Sequence, residues 1–182
     1  RVDYFKIINK YISPDSKLYS VYVPHVVLVT AKALKVARRL GLNDEQLQFI
    51  EEAGMLHDIG ISCVKALKIR EEGTLPYIQH ITEGARILRE EGLPRHARVA
   101  ERHTGVGIFA DDIVSKGLAL PAQDYFAETM EEKILSWADI FFSKRLEMLW
   151  RERTIEEARA EIAQHGERYA KIFDEWRKEF GE

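Results

Sequence analysis

Four histidines and two aspartates carry most of the chemistry this sequence offers: His25, His57, Asp58, His80, His103 and Asp139. His57 and Asp58 are adjacent in the stretch Ala53-Gly54-Met55-Leu56-His57-Asp58-Ile59-Gly60. Leu47, Ile50, Ala53 and Gly54 precede His57 by ten, seven, four and three residues, so they share its face at helical periodicity. That face is apolar and should point into the core. The sequence thus places an imidazole beside a carboxylate where water is scarce. Such groups are costly to bury unless they are paired or bind metal. Asp139 repeats the anomaly, with Leu135 four residues before it and Phe142 three after. Imidazole and carboxylate donors together suit divalent first-row transition ions. Six of them, each at a helix end or on a buried face, make a two-metal ligand set. Two ions about 3.5–4 Å apart can share a hydroxide and clamp a phosphoryl group.

The elements that must position these donors read as helices throughout. Val2 to Ile12 predicts an opening helix, ended near Pro14. Pro24 is well placed to begin a second, from His25 to Leu40. That helix carries Lys32, Lys35, Arg38 and Arg39 on a solvated side, and Val26, Val29, Ala33, Val36 and Leu40 on the other. Asn43 or Asp44 opens a third helix, ending at Gly60, so His57 and Asp58 lie in its last turn. Ser62 to Leu75 reads as a short helix and a loop. A fourth helix, His80 to Glu91, begins with His80. A fifth, from Pro94 to about His103, ends with His103 and is stopped by Gly105 and Gly107. Ile108 to Glu128 reads as an irregular excursion with a short helical piece near Asp111 to Lys116. Capping boxes at Thr129/Glu132 and Thr154/Glu157 open a helix to about Leu146 and a long final helix to about Phe180. No segment sustains strand alternation. The expected fold class is all-α, a single domain over residues 1–182, with a bundle core over about 20–146 and a C-terminal helical extension over 154–180.

Composition narrows the function classes. The chain has 182 residues, of which 46% are hydrophobic and 31% charged, a globular balance. Its net charge of -3 offers no basic field for a nucleic-acid polymer or an acidic membrane. An anionic substrate therefore needs local positive charge, which metal ions would supply. The single cysteine, Cys63, excludes an intramolecular disulfide and a cysteine zinc cluster, and favours a cytoplasmic setting. No apolar run is expected to reach membrane-spanning length, and no signal peptide is visible.

The order His25, His57-Asp58, His80, His103, Asp139 resembles the HD-domain superfamily of metal-dependent phosphohydrolases, in the subset with an HDIG core motif. The resemblance covers residues 25 to about 145. It implies one metal held by His25, His57, Asp58 and Asp139, and a second held by His80, His103 and a bridging Asp58. Two divalent transition ions (Fe, Mn, Ni, Co or Zn) would be the cofactors. Asp58 would orient a metal-bound hydroxide that attacks phosphorus in a nucleotide or similar small phosphorylated metabolite. Arg102-His103-Thr104-Gly105, and Glu132-Lys133-Ile134-Leu135 leading to Ala138-Asp139 with Arg145 six residues on, are similar to HD hydrolases that cleave symmetrical dinucleoside tetraphosphates. That likeness implies Arg145 as a phosphate contact, with Lys144, Arg102 and Thr104 behind it. A guanidinium can pair bidentately with phosphate oxygens.

The sequence also departs from the pattern. Many HDIG proteins have lysine directly after the motif. Here it is Ile61, and the nearest cations downstream are Lys65, Lys68 and Arg70. The cyclic-dinucleotide branch has two adjacent histidines and a Gly-Tyr-Pro signature. Here Thr104 follows His103 and that tripeptide is absent. The stretch from Gly105 to Glu128, with Asp111, Asp112, Lys116 and Tyr125, is longer than in the tetraphosphatases, as a lid or pocket wall would require. Oxygenases resembling inositol oxygenase share the six-ligand order with a mixed-valent di-iron pair, and some HD relatives are non-catalytic binding domains.

Other residues have ordinary readings. His96 reads as a surface or boundary histidine, His165 as packing on the last helix, and Cys63 as a small buried hydrophobe. The aromatic cluster Trp137, Phe141, Phe142 and Trp150 reads as core. The stripe Ile155, Ala158, Ile162, Tyr169, Ile172, Phe173, Trp176 and Phe180 must pack on its own domain or on a second subunit in a homodimer.

Overall fold

A computed structural model describes residues 1–65 and 75–181. The part of the expected 62–75 segment that falls in 66–74, with Lys68 and Arg70, lies outside the described residues. The fold is all-α: helices α1 (Tyr4–Tyr11), α2 (Lys17–Arg39), α3 (Asp44–Leu56), α4 (His80–Glu90), α5 (Pro94–Arg102), α6 (Ala110–Ser115), α7 (Met130–Ile140), α8 (Ile155–Ala163) and α9 (Glu167–Phe180). Short 3-10 turns cover Ile59–Cys63, Tyr77–Gln79 and Leu146–Met148. Among the described residues there is no sheet, only the isolated bridges Val64–Leu75 and Ile108–Tyr125.

Four helix boundaries differ from those expected. Helix α2 begins at Lys17 under a Ser16 cap, whose side chain accepts from the Tyr19 N–H, so Pro24 lies inside the helix rather than at its start. Proline removes the bond to the carbonyl four residues earlier. That residue, Ser20, is exposed, so water can replace the lost donor. Helix α3 opens with the Asn43/Gln46 capping box but stops at Leu56, not Gly60. The predicted run from Thr129 to Leu146 ends at Ile140. The predicted single final helix is two, broken at Gly166, whose φ of 140° suits glycine.

Two large apolar clusters form most of the core, and a small third one gathers Ile81, Ile108, Ile113 and Tyr125. One large cluster gathers α7, α8, α9 and the adjoining faces of α2 and α3 around Trp137, Phe173 and Phe180. The other joins α1, the start of α2, the Ile59–Cys63 turn, α4 and α5 around Tyr22, Leu56 and Ile61. The C-terminal stripe therefore packs on its own chain. Arg39 helps hold it there by donating to the Phe180 and Gly181 carbonyls, and Lys32 lies 4.1 Å over the Phe141 ring. The α2 cations are thus not simply a solvated face. Leu40 is exposed rather than core, and Trp150 is 72% exposed, outside the aromatic cluster that buries Trp137, Phe141 and Phe142.

Helix α2 also corrects the expectation about membrane-length segments. Its 23 residues include a window of mean hydropathy 1.3, long and apolar enough to span by length and composition. Half of that window is buried inside the protein, which explains the apolar content as core. The same helix carries His25 at the seam between the two large clusters, flanked by Tyr22 and Val26 on one side and Val29 on the other.

Candidate metal centre and cleft

Each candidate donor stands where a helix face or end meets this seam. His25 is on α2, and His57 is the C-cap residue of α3. Asp58 leaves the helix with φ -104° and ψ 12°, the sparsely allowed bridge region where many active-site residues sit. Its carboxylate can therefore turn away from the α3 face. His80 opens α4, His103 caps α5 and Asp139 lies one residue from the end of α7. Two glycines permit the close approach this requires. A Cβ on Gly54 would stand 2.3 Å from Thr30 Oγ1, where α3 crosses α2. A Cβ on Gly60 would stand 2.0 Å from the His80 carbonyl oxygen and 2.4 Å from the Gly84 nitrogen. The glycine of the HDIG stretch thus lets the turn carrying Asp58 lie directly against α4.

The six residues fall into two groups that share Asp58: His25, His57, Asp58 and Asp139; and Asp58, His80 and His103. Within each group one donor atom per residue lies within 4.8 Å of the others. His25 Nε2 is 3.0 Å from Asp139 Oδ1 and 3.2 Å from Asp58 Oδ2. His57 Nε2 is 3.3 Å from Asp139 Oδ1 and 3.5 Å from Asp58 Oδ2. His80 and His103 place Nε2 at 3.4 and 3.2 Å from the other Asp58 oxygen, Oδ1.

The hydrogen bonds behind the rings show that this donor set fits a cation. Nδ1 of His57, His80 and His103 lies 2.6, 2.7 and 2.8 Å from the carbonyl oxygens of Gly54, Tyr77 and Ala100, each three residues earlier. A carbonyl can only accept, so these Nδ1 atoms carry protons and donate. A neutral ring held this way turns the lone pair of Nε2 toward the carboxylates, the usual carbonyl-anchored arrangement of metal-binding histidines. His80 is such a ring, because burial pushes its pKa down to about 3 despite the opposing pull of Asp58. Its Nε2 faces His103 Nε2 at 3.3 Å. Lone pairs turned on one another and on a carboxylate repel unless a positive centre stands between them. Asp58 Oδ1 and His25 Nδ1 are also buried without a hydrogen-bond partner.

Positive charge reaches the cluster from Lys144. Its Nζ donates to Asp58 Oδ2 at 2.7 Å. Burial works to raise the Asp58 carboxyl pKa, but opposing charge, Lys144 foremost, outweighs it and holds the group well below the carboxylate range. Burial likewise opposes ionisation of Asp139, and hydrogen bonding, led by His25 with its Nε2 at 3.0 Å, overcomes it and leaves that pKa well below its ordinary value. Lys144 shows the converse: burial lowers its pKa, Asp58 raises it, and the net shift is strongly upward. Both carboxylates are thus ionised donors.

The cluster opens, past Asp139, into a cleft of about 750 Å³. Its walls include Ile61, Tyr77, Thr104, Phe142, Lys144 and Arg145. Ile61, where lysine often stands in HDIG chains, is fully buried and apolar. The Arg145 side chain has no hydrogen-bond or ion-pair partner among the described residues, and the residue is exposed. Thr104 Oγ1 is buried and also unpartnered. Arg102, by contrast, is not on the cleft. Its guanidinium donates to the Phe126 carbonyl at 3.0 Å and to Glu128 at 2.7 Å, so it ties α5 to the segment before α7. The 105–128 excursion is no pocket wall either: of its residues, only Gly105 lines the cleft. Asp111 and Asp112 pair with Arg168, Asp112 accepts from the Tyr169 hydroxyl, and Lys116 donates to the His165 carbonyl.

Sequence reasoning missed the outer wall. Arg153, just before the C-terminal extension, and Glu161, Ile162 and His165 within it line the cleft. His165 is exposed in the turn between α8 and α9 instead of packed on a helix. No spacing rule marks these residues, because they follow two turns whose directions depend on packing. His96 is buried rather than superficial, with Nε2 3.0 Å from Glu52 Oε1, remote from the cleft lining. Cys63 is half-buried, and Lys65 does not line the cleft.

Comparison with known proteins agrees with this architecture. An uncharacterized protein of Methanocaldococcus jannaschii is 37% identical over 131 residues, covering 69% of this chain and 70% of that one. The tRNA (cytidine(56)-2'-O)-methyltransferase of Thermoplasma volcanium is 32% identical over 149 residues, 78% of this chain but 39% of that protein. The Picrophilus torridus enzyme of the same name is 34% identical over 118 residues, 64% of this chain and 30% of its own length. The chain thus spans well under half of those methyltransferases. In fold it is similar to the HD domain of the L. monocytogenes phosphodiesterase PgpH, with TM-score 0.56 and 17% identity over 92% of this chain and 93% of that one. The same domain in complex with cyclic-di-AMP gives TM-score 0.55 and 16% identity over 92% of each chain. A family model of the HD domain matches residues 22–159, which include all six clustered donors. The chain belongs to the HD domain family.

Proposed function

We propose that the protein is a metal-dependent phosphohydrolase acting on a nucleotide or a similar small phosphorylated metabolite at a dinuclear site. One observation carries this reading. Four imidazoles and two ionised carboxylates converge in two groups that share Asp58, beside a cleft that Asp139 lines and on which Arg145 has no partner among the described residues. His25, His57, Asp58 and Asp139 would hold one ion, and Asp58, His80 and His103 the other. Bound divalent metal supplies Lewis acidity toward the phosphoryl oxygens and lowers the pKa of water.

The chain's own residues do the rest. Asp58 keeps the two donor groups in register by presenting a different oxygen to each. The backbone carbonyls of Gly54, Tyr77 and Ala100 fix the tautomer of three donor rings. Arg145 anchors the phosphate with its guanidinium fork. Lys144, next to it and within reach of Asp58, neutralises charge at the same end. Ile61 and Phe142 keep the reacting end dry, which strengthens each electrostatic contact there.

The methyltransferase names of two relatives do not redirect this reading. We assign methyl transfer to the portion of those proteins that this chain does not span. The test is metal analysis of the native protein, followed by a screen of phosphorylated metabolites with the native metal restored. Asp58→Ala should lose metal and hydrolysis together. Full metal content and undiminished phosphatase activity in that variant would sink the assignment. Oxygen consumption by anaerobically iron-loaded protein, with no phosphoester turnover, would favour a di-iron oxygenase instead.

A further inference from the structure

Charge in the cleft is distributed in a way that selects among phosphorylated substrates, an inference that rests on the phosphohydrolase reading for its chemistry but not for its binding. Three cationic side chains line the cleft: Lys144, Arg145 and Arg153. Lys144 is taken up by Asp58 at 2.7 Å. Arg153 donates to the Ile140 carbonyl at 2.8 Å and faces Glu161 at 3.9 Å, so the end of α7 holds it and a carboxylate balances it. Of these three, Arg145 has no partner among the described residues, and it directly follows Lys144 in the chain. Beyond Asp139, the carboxylates on the cleft are Glu147 and Glu161. Away from Lys144, the described residues of the cleft therefore offer no uncompensated cation beyond Arg145, and they present acceptors.

A chain of phosphates running along the cleft beyond Arg145 would find no further free cation among the described residues and would share the cleft with Glu147, which has no ion-pair partner among them, and like charges in a partly dry cleft repel. A hydroxylated group in the same place would find acceptors. At 3.9 Å Glu161 makes no hydrogen bond to Arg153, so its oxygens keep their capacity to accept from hydroxyls. The His165 ring lies exposed on the same wall, and the unpartnered Thr104 hydroxyl stands nearer the donor cluster. Ile162 packs close to Gly105 and supplies an apolar floor, since a Cβ on Gly105 would lie 3.2 Å from its Cδ1. We propose that residues of the C-terminal extension, Glu161 and His165, form a subsite for the hydroxyl-bearing end of a phosphate monoester. The substrate thus carries one phosphoryl group on a sugar-like carrier, not a polyphosphate chain.

The experiment measures equilibrium binding and turnover of AMP, ribose 5-phosphate, ATP and diadenosine tetraphosphate by the full chain loaded with Mn²⁺. The monoesters should bind at least tenfold more tightly than either polyphosphate. Glu161→Gln should weaken the monoesters at least fivefold, and Glu147→Gln/Glu161→Gln should narrow the gap to the polyphosphates. His165→Ala should weaken AMP and ribose 5-phosphate while leaving inorganic phosphate binding at the metal end unchanged. Circular dichroism and the thermal midpoint show that each variant is folded. Equal or tighter polyphosphate binding, no monoester binding, or no response to Glu161→Gln in a folded variant overturns the subsite. If the monoesters bind as expected but none is hydrolysed with any first-row metal, the subsite stands and the phosphohydrolase reading fails.

Discussion

Replacing Gly60 by alanine should separate the two halves of the donor cluster without touching a donor. The added Cβ would lie 2.0 Å from the His80 carbonyl oxygen and 2.4 Å from the Gly84 nitrogen, both backbone atoms that cannot rotate away. Ordinary contact begins at 3.4 Å, so the Ile59–Cys63 turn and α4 must part by about 1.4 Å, the difference between 3.4 and 2.0 Å. Overpacking of this kind costs about 1–3 kcal/mol, occasionally more. For a chain of this length about 3 kcal/mol lowers the thermal midpoint by roughly 6–12 °C. Asp58 sits just before the turn and His80 opens α4, so the displacement falls on the distance between them. Metal bonds tolerate only about 0.2 Å of misplacement. The group Asp58, His80 and His103 should therefore lose affinity by at least about 10- to 100-fold, as when a supporting residue of a metal site is disturbed. The group completed by His25, His57 and Asp139 should lose less. Differential scanning calorimetry of metal-free protein and titration calorimetry with Mn²⁺ read the two effects separately. A Gly60→Ala protein with an unchanged midpoint and two equivalents of tightly bound metal would refute the claim that this contact sets the site.

Three further outcomes follow from the same geometry. Saturating metal at 100 times its dissociation constant should stabilise the wild type by about 2.7 kcal/mol, seen as a higher midpoint that a chelator reverses. Asp58→Asn should show neither change. Lys144→Met removes the cation that faces buried Asp58, and breaking such a pair costs about 3–5 kcal/mol. That loss should appear in urea denaturation of the chelated protein and shrink when metal is added, whereas equal loss with and without metal would assign Lys144 a purely packing role. In the chelated wild type, stability should fall as the pH is lowered. Folded His80 resists protonation until about pH 3, while an unfolded histidine takes up its proton near 6.5, giving a slope of at most about 1.4 kcal/mol per pH unit between those values. Asp58 and Asp139, held below the ordinary range, add stability that is full above about pH 3.9 and is lost as pH falls through their folded values. Urea midpoints at pH 7, 6 and 5 measure the histidine part, and a flat profile would contradict it.

The sequence by itself determined the candidate donors and the helical character of the elements that carry them. Apolar spacing around His57 and Asp139 marked buried polar groups, because helical periodicity is local and survives without knowledge of neighbours. The capping boxes at Thr129 and Thr154 placed two helix starts correctly for the same reason. Helix ends were less legible. Helix α7 stops at Ile140, where Phe141 accepts the Arg153 N–H and Ile140 accepts its guanidinium, bonds made by a residue more than ten positions away. Tertiary structure alone decided which cation serves which purpose. Lys144, Arg145 and Arg102 look alike in the sequence, yet one faces Asp58, one is free on the cleft and one is spent on Glu128. It also decided that His165 and Glu161 share the cleft with Asp139, since two turns of unpredictable direction separate them. The bridge-region backbone at Asp58 is the sharpest case: a helical residue would hold its carboxylate on the α3 face, and the turn at Ile59–Cys63, made possible by Gly60 against α4, directs it between His25 and His103.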